Sequence, residues 1–301
     1  MTLTKLIAPI AAFAAFAATS PAPAQSLPSL GGPKGAARLK EPETADDAVK
    51  VSAAVVGEAK AGATVRIALA FDIHPGWHIY WENPGESGAP TEVQLELPAG
   101  CQAPTSPNGR ARLDFPAPTV FEKGETTIGY ERRVMLSVPV TIGAEVPAGG
   151  LSTKARVSFL VCKERCLMGS REITLDLARS SSDAAVAKEL ADSLAATPLP
   201  VSQAPKALGL AVRLEGVSEQ SASLAVSLAG SGPVRFIPFD TPGARLASGY
   251  VSSSKEGPLA VDIELSREST LGGPLEVGGI LLVGNDPRPY SFRIPVPAAS
   301  R

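Results

Sequence analysis

The sequence predicts an all-β protein of two β-sandwich modules joined by a short helical linker. Three observations carry this expectation. Short apolar runs alternate with polar residues at period two, the mark of half-buried strands. Gly and Pro number 28 each and fall largely between those runs, as turn-rich β folds require. The chain has 301 residues, against a usual domain size of about 100–150, so two modules is the natural division.

Taken in chain order, the first element is a secretory signal over 1–24. Lys5 supplies the positive charge, Leu6 to Ala18 the apolar run, and Ala22-Pro23-Ala24 a small-residue cleavage step before Gln25. The run is shorter than the ~20 residues of a spanning helix, and no later segment is long enough to span. The mature chain is therefore expected in the periplasm and not as an integral membrane protein. Residues 25–44 are rich in Pro, Gly, Ala and Lys without periodicity and are expected to be a flexible leader.

The first module is expected over 45–178. Val65, Ile67, Leu69, Phe71 and Ile73 alternate with polar neighbours, and the same pattern returns at Val93/Leu95/Leu97, Val134/Leu136/Val138/Val140, Val157/Phe159/Val161 and Ile173/Leu175/Leu177. Turn formers such as Pro84-Gly85 and Asn108-Gly109 separate them. The linker is expected over 179–204. Ser182 and Asp183 suit a helix start, Val186, Leu190 and Leu194 recur at helical spacing, and Pro198 and Pro200 stop it, which suggests a hinge. Strand patterns resume over 205–301, at Leu210/Val212/Leu214, Leu224/Val226/Leu228, Leu259/Val261/Ile263/Leu265 and Tyr290/Phe292/Ile294/Val296. This second module has no cysteine or histidine and suits a scaffold or docking surface.

Apolar residues make up 44% of the chain and charged residues 19%, with a net charge of -2. That balance gives no electrostatic reason to expect nucleic acid as a partner. No Gly-x-Ser-x-Gly elbow, phosphate-binding loop or dinucleotide fingerprint is present, and no cofactor is expected.

The chemical centre falls on Cys162 and Cys166, flanked by strand patterns and followed by Gly169. Residues four apart on an extended strand lie roughly 13 Å apart. A disulfide needs Cα atoms about 4.4–6.8 Å apart, so pairing would require a hairpin tip between them. Such a bond can be a structural staple or a redox couple. Closing so short a loop removes only about 2 kcal/mol of unfolded-state entropy, a weak staple. Lys163 and Arg165 would favour a thiolate beside them, with Glu164 opposing. Cys101 is left over and reads as a buried bystander.

Both histidines and both tryptophans lie in His74–Trp81. His74 and His78, with Cys162, Cys166 and Met168, are the residues from which a soft Cu(I) site could be assembled. Pro75 and Gly76 oppose a helix there, and on a strand the histidines would be too far apart to share an ion. Trp77 and Trp81 are expected in the sandwich core.

The segment Trp77-His78, Tyr80-Trp81, Asn83-Pro84-Gly85, Ser87-Gly88 and Pro90-Thr91, then Phe115 to Pro118, Gly129-Tyr130 and Val161-Cys162-Lys163-Glu164 with Cys166 and Gly169, resembles the N-terminal periplasmic domain of DsbD-type thiol:disulfide interchange proteins. It is most similar to the branch of copper-sensitivity-suppressor membrane reductases. The resemblance covers roughly 45–178 and implies an immunoglobulin-like first module; the second is expected to be a sandwich of the same class. It implies that Cys162 and Cys166 form a redox couple and that a loop shields them, with aromatics near Trp77–Trp81 as candidates. It also implies a membrane-embedded thiol reductase as electron donor and periplasmic thioredoxin-like or disulfide-bearing clients, a protein-disulfide reductase role. The alternative is a non-enzymatic docking or copper-binding protein.

Overall fold

The computed structural model describes residues 40–106, 108–145, 150–247, 249–266 and 275–297. The signal over 1–24 and most of the leader lie outside the described residues. At the described end of the leader, Thr44 caps a one-turn helix, α1 (Ala45–Ala48), in a capping box with Asp47.

The first sandwich is built from nine strands: β1 (Val49–Val56), β2 (Thr64–Ile73), β3 (His78–Gly85), β4 (Glu92–Glu96), β5 (Thr119–Lys123), β6 (Glu125–Glu131), β7 (Arg133–Thr141), β8 (Ser152–Cys162) and β9 (Cys166–Asp176). One sheet runs β1-β2-β7 and the other β4-β8-β3-β6-β5, with β9 paired along β8. Period two in the sequence becomes two faces in space. Val65, Ile67, Leu69 and Phe71 of β2 and Leu136, Val138 and Val140 of β7 bury against Ile79, Trp81, Val157, Phe159 and Val161 of the opposite sheet. Both tryptophans are buried there, as expected.

The outer face of β2 carries Ala68 and Ala70, and that of β7 carries Met135. On these small side chains lies α2 (Ala184–Ala195), capped by Asp183, with Leu190 buried and Val186 and Leu194 beside it. Arg133 binds the Glu189 carboxylate through two nitrogens, and Ser193 Oγ donates to the Met135 carbonyl. The helix expected to hinge is instead fastened to the first sandwich. Its apolar stripe has a partner, and undocking it would return that stripe to water.

The second sandwich holds β10 (Leu199–Pro200), β11 (Ala211–Glu215), β12 (Ser221–Ser227), β13 (Val234–Pro238), β14 (Ala244–Leu246), β15 (Ser252–Ser254), β16 (Leu259–Leu265), β17 (Glu276–Val283) and β18 (Tyr290–Pro295). Its sheets run β10-β18-β17-β13-β15 and β11-β12-β16-β14. Leu199 and Pro200, within the expected linker, already pair with β18. The fold is all-β and immunoglobulin-like, as the sequence predicts.

The sandwiches pack together within one compact unit of the chain. Ile237 and Ile280 of the second are buried with the core of the first. Trp81 meets Phe239 with ring centroids 5.7 Å apart, and the Arg293 guanidinium lies 4.2 Å over the Phe239 ring. Asn83 Nδ2 donates to the Pro238 carbonyl at 2.8 Å.

Candidate functional site

The β8–β9 hairpin places the cysteines. Its register runs without a break from Ser152↔Asp176 to Cys162↔Cys166, so the two cysteines are the last facing pair before the turn Lys163-Glu164-Arg165. A disulfide joins them, with Cα atoms 4.2 Å apart. Antiparallel pairing therefore supplies the close approach that spacing along a strand cannot. The turn is held by Lys163 N–H donating to the Arg165 carbonyl, and Arg165 Nη2 donates to the Pro42 carbonyl at 2.5 Å. The Arg165 guanidinium is thus tied to backbone next to α1.

Gly169 lies beyond the turn in β9, facing Phe159. A Cβ at Gly169 would come within 2.3 Å of the Phe159 ring. The glycine leaves room for that ring, which meets Phe71 edge-on at 5.9 Å in the core.

The two cysteines differ in exposure. Cys162 is only 3% exposed, whereas Cys166 is exposed, as is its neighbour on the same face, Met168, at 86%. Cys162 lies on the outer face of its sheet, since Val161 and Phe159 take the core side. On that face it pairs across β3–β8 with His78. The His78 ring sits 5.3 Å from Phe121 and 5.0 Å from Tyr80. The Tyr80 ring in turn lies over Gly88, where a Cβ would come within 2.3 Å of it.

Of the aromatics at Trp77–Trp81, the two tryptophans point into the core, as expected. The aromatic side chains on the disulfide's face are His78 and Tyr80 of the same segment, joined by Phe121 of β5. The alternation of β3 contained that assignment, because His78 and Tyr80 share one face and Ile79 and Trp81 the other. Nothing in the sequence marked Phe121, which reaches this face through the β5–β6 and β3–β6 pairings.

His78 is half-buried, and desolvation holds its imidazole below the ordinary histidine range, with the Glu131 charge partly opposing. Its Nε2 is buried and has no hydrogen-bond partner among the described residues. Burial raises the Tyr80 hydroxyl, with Glu125 adding to the rise. His74 sits before β3, its Nδ1 against the Pro75 carbonyl. Among the described residues, no three of His, Cys, Asp and Glu come together as metal ligands. Cys101 is partly buried and packs against the first core as a free thiol.

The fold and site together define an immunoglobulin-like β domain with a disulfide across a hairpin tip, one cysteine buried and one exposed. Residues 45–178 match the family described as thiol:disulfide interchange protein DsbD, N-terminal, and this part of the chain is similar to a DsbD-type N-terminal domain. The fold is similar to the N-terminal periplasmic domain of ScsB from Proteus mirabilis, with a TM-score of 0.59, 17% identity, and coverage of 86% of this chain and 96% of that one. A protein of unknown function from Porphyromonas gingivalis W83 matches with a TM-score of 0.23 and 10% identity over 82% of this chain and 99% of that one. No curated protein sequence matches the chain significantly. Among the described residues, no helix is long and apolar enough to cross a membrane.

Proposed function

We propose that the chain is a periplasmic thiol–disulfide relay that passes electrons through Cys162 and Cys166 from a membrane-embedded thiol reductase to periplasmic thioredoxin-like or disulfide-bearing clients. The single observation that carries this reading is the unequal exposure of a disulfide that closes only a hairpin tip. The bond adds about 2 kcal/mol to stability by chain entropy, in a fold that already has two extensive cores. An exposed sulfur at its edge serves exchange better than stapling.

The unequal exposure supports the following division of roles. A thiolate of the donor attacks Cys166 Sγ, the S–S bond breaks, and Cys162 leaves as a thiolate. The donor's second thiolate then attacks its own sulfur in the mixed disulfide and releases Cys166. Two electrons have entered, the donor is oxidised, and the pair becomes a dithiol after taking up two protons. In the reverse half, the Cys166 thiolate attacks a client disulfide, and Cys162 attacks Cys166 Sγ to restore the bond and release the reduced client. Met168, exposed beside Cys166, offers an apolar and adaptable contact for such partners.

The test is the reduction potential of the couple, from equilibration with glutathione and counting of free thiols. A value of roughly -120 to -270 mV, the range of exchange catalysts, is expected. A value below about -300 mV would mark a structural bond and refute the relay.

A further inference from the structure

We propose that His78 is the proton-handling partner of Cys162, accepting this thiol's proton when the sulfur attacks and returning one when it leaves. The inference rests on the relay reading and adds a residue to it.

The geometry comes from the ladder. His78↔Cys162 and Ile79↔Val161 are the facing pairs that join β3 to β8. Facing residues of an antiparallel pair lie on one side of the sheet with Cβ atoms about 4.5–5.5 Å apart, within reach of a ring. The other side of His78 faces Glu131 on β6. Its own strand contributes Tyr80, and β5 contributes the uncharged ring of Phe121. Glu122, next on β5, is paired with Arg235 of the second sandwich. From the hairpin, the Lys163 stem lies near Gly76, just before β3. In the ladder His78 therefore lies between Glu131 and Cys162, with a buried Nε2 that has no hydrogen-bond partner among the described residues.

The need comes from burial. Cys162 is 3% exposed, and an apolar setting disfavours a thiolate. Each half of the relay still requires one there, as leaving group or as nucleophile. Exposed Cys166 is stabilised by water instead. In the client half, His78 takes the Cys162 proton as this sulfur attacks Cys166 Sγ and the client thiolate departs. In the donor half, Cys162 departs from Cys166 as a thiolate and recovers that proton from the imidazolium. His78 ends each full cycle unchanged, and the electrons pass only through sulfur.

The test uses His78→Phe and His78→Gln, the second retaining a planar polar group that cannot act as the acid–base partner. In a Cys101→Ser/Cys166→Ser background, the Cys162 thiolate is titrated by ultraviolet absorbance. With both cysteines of the pair present, exchange with a small dithiol is followed against pH. Loss of His78 is expected to raise the apparent Cys162 pKa. Exchange near pH 7 should slow by about a hundredfold, the lower end for a positioned acid–base group, in both variants. A Gln variant with the parent's titration and pH profile would overturn the assignment and leave His78 as packing. If the parent chain exchanges with no dithiol, the relay reading fails by itself, and an unchanged Cys162 titration would then reject the His78 pairing separately.

Discussion

Ile237 and Ile280 face each other across two strands of the second sandwich, yet both are buried in the core of the first. Their strand neighbours Phe236 and Leu281 face the opposite way, into the second sandwich's own core. The β13–β17 pair is thus a shared wall, apolar on both sides. The two sandwiches are coupled through it, and the coupling can be measured.

Ile280→Ala should cost about 2–5 kcal/mol, as for a large-to-small change at a buried site. Both tryptophans lie in the first sandwich, with Trp81 against Phe239 of the second, so their fluorescence reports on the first sandwich and on this contact. The denaturant midpoint read by tryptophan fluorescence is expected to fall although the substitution lies in the second. An unchanged midpoint would mean that the sandwiches unfold independently.

Glu82 sits near this interface with a buried Oε1 that has no partner among the described residues. Desolvation raises its carboxyl above the ordinary range; Arg293 and Arg112 oppose the rise and Asp240 adds to it. A raised folded-state value means that the folded chain holds a proton the unfolded chain has released. The contribution is therefore complete below the unfolded value and is lost as pH rises through the folded one. Glu82→Gln should remove this dependence, so that its stability gain over the parent is larger at pH 7 than at pH 4. Equal differences at both pH values in urea titrations would refute the assignment.

Leu190 is the buried contact of α2 on Ala68, Ala70 and Met135. Leu190→Ala should cost about 2–4 kcal/mol and speed amide exchange over 184–195 more than in β2. Unchanged protection of the helix would show that the Leu190 contact is not what holds it and that polar contacts such as the Glu189–Arg133 pair suffice. That outcome is not expected of a half-exposed ion pair worth about 1 kcal/mol or less.

The sequence made β2 and β7 legible because each has a large-residue face toward one core. β17 was not legible. Its run Gly278-Gly279-Ile280-Leu281-Leu282 is apolar without alternation, because both faces are covered, and period two vanishes when neither side is wet. The hairpin tip at Cys162 and Cys166 followed from spacing and flanking strands. The role of Gly169 did not, because a glycine that makes room for a ring looks the same in sequence as one that makes a turn.

By itself the sequence determined the all-β class, the two sandwiches and the burial of both tryptophans. These follow from local pattern, which sets which face of a strand seeks the core. Only the tertiary structure decided that α2 is docked rather than hinged and that the second sandwich lends its wall to the first. It also decided that His78 and Phe121 stand on the disulfide's face. Those outcomes depend on which strands become neighbours, and strand neighbours are chosen by the closing of sheets over long stretches of chain, beyond the reach of any local window.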